Sequence, residues 1–193
     1  MMNTLSSAIE LFDQYNKQDP HSVVWEGTEF PAEYFYGLQL FHWVTKLSDN
    51  PSEALLLASR CQHIGRWKIP RDRYPAGKAG YLRWRTDLAK FHAAEAEQLL
   101  KLAGYIDAEI AAVQRIQLKQ NLKLDKDVQT MEDALCLVFL EFQLEDFIQK
   151  HDDEKLVRIL QKSWKKMSEK GRSAALALQY SPKAKALLEK ALG

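Results

Sequence analysis

Hydrophobic residues recur at spacings of three and four along most of the chain, which is the pattern of amphipathic helices. This pattern predicts helices at about residues 4–17, 31–48, 51–64, 83–104, 106–120, 129–150, 153–169 and 171–179, and a last helix from Pro182. Only Ser22 to Gly27 is typical of extended chain, and that segment is too short to predict a sheet. Because we find neither an internal repeat nor a low-complexity linker, we predict one all-α domain, a compact helical bundle over residues 1–193.

The composition is that of a soluble globular protein: 46 % of the 193 residues are hydrophobic and the net charge is +1. This balance predicts no general attraction to nucleic acid or to membranes. Cys61 and Cys136 lie in apolar helical stretches, so we expect buried thiols and no disulfide. The spacing of Cys and His does not fit a zinc knuckle. The N-terminal residues lack the features of a signal peptide, and no apolar run approaches the ~20 residues that span a bilayer, so we expect a cytoplasmic protein.

Charge is unevenly distributed along the chain. The stretch from Arg60 to Arg85 holds eight basic residues and one acid, whereas the stretch from Glu132 to Glu154 holds eight acids and one base. One interpretation is that the two stretches are solvated faces that attract each other across the fold. The other is a basic rim beside an acidic pocket, which would suit a phosphate-bearing ligand held near a metal.

Four residues that can carry charge lie on, or at the edge of, apolar helix faces: Glu33, His63, His92 and Asp133. Burial of such groups is costly unless they are paired, hydrogen-bonded or bound to metal. Three of them have an ordinary explanation: a helix N-terminal charge for Glu33, a helix C-terminal partner for His63 and a core histidine for His92. A buried aspartate is rarer, so Asp133 is the most telling. Together they predict one internal polar site, whereas His42 is predicted to lie at the surface.

The segment from Gly65 to Gly80 is predicted to be the longest irregular stretch, and long loops in compact domains are usually functional. Its basic residues are suited to bind phosphate or carboxylate, and its aromatic residues either stack a ring or anchor the loop. Its glycines do not match a phosphate-binding motif, and one basic loop is weak evidence for nucleic-acid binding. The basic residues considered for binding are Arg66, Arg71, Arg73 and Lys78; the aromatic ones are Trp67 and Tyr74.

Three segments resemble the metal-dependent phosphohydrolases of the HD-domain family. Leu55-Leu-Leu-Ala-Ser-Arg-Cys-Gln-His-Ile-Gly-Arg-Trp resembles the helix that carries the family's His-Asp pair, which is typically followed by Ile-Gly. His92-Ala-Ala-Glu-Ala-Glu-Gln-Leu-Leu-Lys-Leu-Ala-Gly resembles its second histidine helix, and Glu132-Asp-Ala-Leu-Cys-Leu-Val-Phe-Leu resembles the helix with its last aspartate. The resemblance covers about residues 31–145. It implies an HD-like core at about 31–150, with C-terminal helices at 153–193 packing on it.

Nearly the whole chain also resembles an uncharacterised bacterial and fungal family of unknown function. The segments that carry this resemblance are Gln62-His-Ile-Gly-Arg-Trp-Lys-Ile-Pro-Arg, Gly80-Tyr-Leu-Arg-Trp-Arg and Cys136-Leu-Val-Phe-Leu-Glu. His92 and Asp133 match metal ligands of the HD-domain family. Glu33, however, occupies the place of the family's first histidine, and Gln62-His63 occupies the place of its His-Asp pair. A two-metal hydrolase needs that pair intact, so the metal site is expected to be divergent.

The HD resemblance implies a metal-dependent hydrolase that acts on a small phosphorylated or anionic compound. Glu33, His63, His92 and Asp133 would bind a divalent iron, manganese or zinc ion, whose role is to activate water or polarise a phosphoryl oxygen. Arg66, Arg71, Arg73 and Arg83 would bind the anion, and Glu95 or Glu141 would serve as a catalytic base or orient the ligands. The alternatives are a degenerate relative that binds a ligand or partner without turnover, an HD-type iron oxygenase, and a purely structural polar core.

Overall fold

A computed structural model describes residues 3–193 as ten α-helices and one β-hairpin, which confirms the all-α prediction. The elements are α1 (Thr4–Asn16), β1 (Ser22–Trp25), β2 (Thr28–Pro31), α2 (Ala32–Leu47), α3 (Glu53–Cys61), α4 (Gly77–Ala103), α5 (Asp107–Gln117), α6 (Lys126–Val138), α7 (Leu144–Lys150), α8 (Asp153–Lys166), α9 (Glu169–Leu176) and α10 (Pro182–Leu192). Within residues 3–193, no helix is both long and apolar enough to cross a membrane.

Short polar side chains determine where several helices begin. The side chains of Asn3, Ser52, Asp152, Ser168 and Ser181 each accept a hydrogen bond from a backbone N–H in the first turn of the following helix. Such caps satisfy amide groups that have no partner inside the helix, and each stabilises it by about 1 kcal/mol. The hydroxyl groups of Ser52 and Ser181 therefore explain why α3 and α10 begin close to the predicted starts at residues 51 and 182.

The prediction that Ser22 to Gly27 is too short for a sheet was wrong. β1 pairs antiparallel with β2, and the register places Ser22 opposite Pro31 and Trp25 opposite Thr28. The two turn residues, Glu26 and Gly27, have φ angles of 49° and 77°, and a tight hairpin turn with two positive φ angles matches the twist of its strands. Pro31 therefore ends the hairpin, and α2 begins one residue later than predicted.

The predicted irregular segment from Gly65 to Gly80 is more ordered than expected. It contains two short 3₁₀ turns, Arg66–Lys68 and Arg71–Arg73, and α4 already begins at Gly77 instead of residue 83. The backbone of Gly80 lies so close to that of Pro75 that a Cβ atom at residue 80 would be 1.9 Å from the Pro75 carbonyl oxygen. This close approach ties the segment to the first turn of α4.

The core lies between α2 and the helices around it. α2 packs against α3 and α6, α3 also packs against α5, and α1 packs against α4. At the centre, Leu40, Val44, Leu55, Met131 and Leu137 are all 2 % exposed or less. α8 and α9 pack on α6, and α10 packs on α8. The predicted single helix over residues 129–150 is split into α6 and α7 by a π-helical turn at Phe139–Gln143.

Candidate functional site

His63 lies in a tight turn that links the end of α3 to the first 3₁₀ turn. Gly65 in this turn has a φ angle of 67°, in the left-handed region that favours glycine. An added Cβ there would also come within 3.0 Å of the rings of Tyr15 and Phe91. The glycine therefore lets the turn press against α1 and α4, which brings the His63 side chain to the buried face of α4.

His92 projects from that face of α4, and its ring centroid lies 5.8 Å from that of His63. The Nδ1 atom of His92 is 2.6 Å from the carbonyl oxygen of Ile64. Since a carbonyl oxygen only accepts, Nδ1 must carry the hydrogen, and Nε2 is left with a lone pair. Within residues 3–193, this buried Nε2 atom has no hydrogen-bond partner. His92 thus has a fixed tautomer and an unused acceptor.

Burial and neighbouring positive charge keep both imidazoles neutral. Burial is the main cause that lowers the pKa of His92 to about 4; the charges of Arg66 and Arg85 add to it, and the hydrogen bond to Ile64 opposes it. Burial also lowers the pKa of His63 well below its ordinary value, followed by the charge of Arg66 and by His92. At neutral pH each ring is therefore able to accept a proton or to bind a cation through a lone pair.

Both histidines line one cleft of about 710 Å³, here called the histidine cleft, a volume in the range of ligand sites. Four basic side chains also line it: Arg66, Arg85, Lys90 and Lys119. Among residues 3–193, no aspartate or glutamate contributes to the lining. The charged part of the lining is therefore entirely cationic, and it favours an anionic ligand.

Two buried glutamines complete the wall between α3 and α5. The Gln62 Nε2 atom donates to the Gln117 carbonyl oxygen at 3.2 Å, and the Gln117 Nε2 atom donates to the Cys61 carbonyl oxygen at 2.9 Å. Both residues line the histidine cleft and are 5 % exposed or less. The paired amides join the end of α3 to the end of α5 and hold the turn that carries His63.

Glu33 lies beside this site, on the other side of Arg66. Its carboxyl oxygen is 3.8 Å from Arg66 Nε, and its backbone N–H donates to Asp19. Burial raises the pKa of Glu33 to about 8; the charge of Arg66 opposes this shift and that of Asp19 adds to it. Glu33 and His63 also line a small gap between α2 and α3. Glu33 is therefore near the histidine pair, with its carboxyl directed to an arginine.

Asp133 is not part of this cluster. Its carboxylate accepts hydrogen bonds from the backbone N–H of Ser168 at 2.8 Å, from the Ser168 hydroxyl group and from Gln129 Nε2 at 3.0 Å. It lines a different hollow, between α6 and the start of α9. In the described part of the chain, no group of three or more His, Cys, Asp or Glu side chains is arranged to hold a metal ion. The structure thus brings together His63 and His92, with Glu33 nearby, and places Asp133 elsewhere.

The two candidate catalytic glutamates also bind other partners. Glu95 accepts a hydrogen bond from the Tyr15 hydroxyl group and lies 3.9 Å from Lys68 Nζ. Glu141, in the π-helical turn, accepts from Trp43 Nε1 at 2.8 Å. Neither glutamate lines the histidine cleft. In this arrangement they tie α4 to α1 and the π-helical turn to α2.

The candidate anion-binding arginines divide between different surfaces. Arg66 lines the histidine cleft, whereas Arg73 and Arg83 line a separate surface hollow. Arg71 donates to the carbonyl oxygens of Tyr74 and Pro75, both at 2.9 Å, so its guanidinium holds the loop together. Among residues 3–193, no ion pair joins a base of 60–85 to an acid of 132–154. The two charged stretches are thus not paired with each other.

The profile of one protein family, described as a domain of unknown function (DUF4202), matches residues 6–188. The chain belongs to this family. No curated protein and no solved structure matches the chain. The DUF4202 match spans α1 to α10 and includes the histidine cleft, but the family's description assigns no activity to it.

Sequence reasoning missed three of the four basic residues in the histidine cleft of this DUF4202 chain. Arg85 precedes His92 by seven residues, or almost two helical turns, so the helical period places it on the same side of α4 and could have identified it. Lys90 has no such signal. Lys119 follows α5 in a turn where its φ angle is 54°, which a non-glycine residue seldom adopts and which no local pattern predicted.

Proposed function

We propose that this DUF4202 protein is an enzyme that binds a small phosphorylated or other anionic compound in the histidine cleft and hydrolyses it. The observation that carries the proposal is the placement of two neutral histidines in a cleft whose charged lining residues are all basic. Cationic side chains bind the anion, and a neutral imidazole accepts a proton during the reaction.

Binding of the anion is supported by the way in which Arg66 is held. Its guanidinium lies 5.4 Å from the ring centroid of Trp84, while its Nε atom lies 3.8 Å from Glu33. These two contacts already restrict the conformations of the Arg66 side chain before a ligand binds. Binding therefore costs less conformational entropy, and more of the interaction energy with the ligand is retained. Arg85 and Lys90 add charge that an anion neutralises, whereas the ammonium group of Lys119 is already paired with Glu132.

For the hydrolytic step, His92 is the best-placed proton acceptor. The hydrogen bond to Ile64 fixes its tautomer, so Nε2 is the atom that takes a proton from the attacking water. In the free protein, the low pKa of His92 makes it a weak base. A bound anion would offset the positive charges that contribute to this low pKa. We infer that the substrate itself raises the pKa of His92 and so prepares the base.

The resemblance to HD-domain phosphohydrolases implies a divalent metal ion, and the donor set fits one in part. His63 and His92 supply two neutral imidazoles, whereas the carboxylates of Glu33 and Asp133 are bound to other partners. If a metal is bound, His63 and His92 would hold it; the Nε2 lone pair of His92 would then be used for binding, and the ion instead of His92 would activate the water by lowering its pKa, or would polarise the phosphoryl group. The hydrogen bond from His92 Nδ1 to Ile64 would orient that ligand.

A binding protein without catalytic activity is the second candidate. It is favoured by one observation: Glu95 and Glu141, the carboxylates expected to act as bases, are both hydrogen-bonded away from the histidine cleft. The two functions make the same prediction for ligand affinity and opposite predictions for turnover. Measurement of turnover therefore separates them.

The test is release of inorganic phosphate from a panel of phosphate monoesters, with and without added Mn²⁺, Fe²⁺ or Zn²⁺. We expect release by the wild-type protein and a loss of about 10²-fold or more in His92→Asn. Asparagine keeps an N–H that can donate to the Ile64 carbonyl, so the turn is preserved while Nε2 is removed. His42→Ala is the matched control, because His42 is an exposed histidine on α2. Binding without release in the wild type would identify the protein as a binder.

A further inference from the structure

The floor of the histidine cleft contains hydrogen-bond acceptors that have no donor. Within residues 3–193, the Oε1 atoms of Gln62 and Gln117 and the Nε2 atom of His92 are buried and make no hydrogen bond. All three residues line the histidine cleft. A buried acceptor that has lost its water and gained no donor is destabilising, so three of them on one surface call for a ligand.

The hydrogen bonds of the two glutamine amides identify which atom of each side chain has no partner. Each Nε2 atom is directed at a backbone carbonyl oxygen, that of Gln117 in one case and that of Cys61 in the other. If either amide were turned over, its oxygen would face a carbonyl oxygen and both would lack a donor. The free atom is therefore an oxygen in both glutamines, and a nitrogen lone pair in His92.

The rim of the cleft has the opposite character. Arg85 and Lys90 are exposed, Arg66 and Lys119 are half-buried, and all four can only donate hydrogen bonds. A ligand that satisfies both parts must be anionic at one end and must carry O–H or N–H donors at the other. A bare phosphate group would satisfy the rim, but its oxygens would meet acceptors at the floor.

We propose that the ligand of the histidine cleft is a phosphate monoester whose organic part carries hydroxyl or amino groups. This inference rests on the proposed anion site, and it adds the chemistry of the rest of the ligand. The phosphate lies at the basic rim, and the donors of the organic part reach Gln62 and Gln117. The His63 ring is partly exposed and lies 5.8 Å from the His92 ring, beside the floor of the cleft.

The test compares three small phosphate monoesters by isothermal titration calorimetry with the intact protein: methyl phosphate, glycerol 3-phosphate and phosphoethanolamine. Methyl phosphate has no donor on its organic part, the second has hydroxyl groups and the third has an amine. We expect at least one of the latter two to bind about tenfold more tightly than methyl phosphate. A preference for glycerol 3-phosphate assigns hydroxyl donors, and a preference for phosphoethanolamine assigns an amine.

A matched pair of variants locates the effect at the floor. Gln62→Met removes the Oε1 acceptor at similar volume, together with the Nε2 donor to the Gln117 carbonyl oxygen, and should reduce the preference for the donor-bearing compound over methyl phosphate. Gln114→Met is the control, since Gln114 lies on α5 and binds Ala93 and Glu97 outside the cleft. If Gln62→Met does not fold, the wild-type preference alone decides.

Equal dissociation constants for all three compounds in the wild type would overturn this inference and leave the proposed anion site intact. Absence of binding for all three would overturn both. Binding with the expected preference but without hydrolysis would support this inference and contradict only the enzymatic part of the proposed function.

Discussion

Removal of the Asp133 carboxylate tests whether this residue has a structural role. In the structure it accepts three hydrogen bonds, from the Ser168 backbone, the Ser168 hydroxyl group and the Gln129 amide. These contacts fasten the start of α9 to α6. Asp133→Ala removes both acceptor oxygens and leaves the Ser168 N–H and hydroxyl group without this partner, while Gln129 Nε2 keeps its bond to the Lys166 carbonyl oxygen. A purely ligating role would leave the metal-free fold almost intact.

The expected loss can be estimated from these contacts. Hydrogen bonds to a charged group contribute about 1.5–3 kcal/mol each, and three bonds to one carboxylate are not additive. Gln129 is half-buried and recovers part of its loss from water. Asp133 is itself only 3 % exposed, and a Cβ at Gly171 would lie 2.6 Å from its carboxyl carbon, so the space is tightly filled. We therefore expect Asp133→Ala to lower the free energy of unfolding by about 3–4 kcal/mol, at the upper end of single substitutions.

The assay is urea unfolding in metal-free buffer, followed by circular dichroism. Asp133→Asn should lower the free energy of unfolding by about half as much, because its side-chain amide retains one acceptor oxygen. Asp146→Ala is the control, since Asp146 is an exposed residue of α7, and its change should stay within about 0.5 kcal/mol. A loss below 1 kcal/mol in Asp133→Ala would refute the structural role and would return Asp133 to the set of candidate ligands.

Three further predictions follow from the same contacts. Unfolded His92 takes up a proton near pH 6.5 and folded His92 only near pH 4, so the contribution of His92 to stability should fall with acid across this window by up to about 3 kcal/mol, while Glu33, with a pKa raised to about 8, contributes a change of opposite sign; the test is the difference between wild type and His92→Asn in unfolding curves from pH 7 to 4, which should shrink as the pH falls. Arg71→Lys loses bonds to Tyr74 and Pro75 and should destabilise the loop by about 1 kcal/mol, with faster hydrogen exchange of this loop at unchanged overall structure. Gly80→Ala should destabilise the protein by about 3 kcal/mol or more, seen as a lower Tm, because its Cβ would overlap the Pro75 carbonyl oxygen.

The helices were predictable because apolar residues at helical spacing must face a common core. The same argument placed His63 and His92 on the inner side, and the structure brings the two rings together. It did not predict the hairpin, since its stability comes from pairing of Ser22–Trp25 with Thr28–Pro31, a segment that was assigned to no element except for its last residue. Local periodicity describes one element at a time and contains no information about its partners.

The partners of a buried charge were the part that could not be predicted. The prediction that Asp133 lies on the buried face of its helix was correct. Its partner Ser168, however, is 35 residues later in the chain, at the start of another helix. Glu141 and its partner Trp43 are 98 residues apart. An inward carboxylate therefore indicates only that some donor lies opposite. Whether the donor is a metal, a ligand or a helix cap depends on the three-dimensional packing.

The most direct test of the account is a titration of isotopically labelled protein with glycerol 3-phosphate, followed by the imidazole signals of its five histidines in NMR spectra. We predict that the signals of His63 and His92 shift and that the pKa of His92 rises above about 4, because the bound anion offsets the charges of Arg66 and Arg85 while burial, the main cause of the low pKa, remains. The signals of His42 should stay in place. Saturable shifts confined to histidines outside the cleft, or an unchanged pKa of His92 at saturation, would contradict the assignment of the histidine cleft as the functional site.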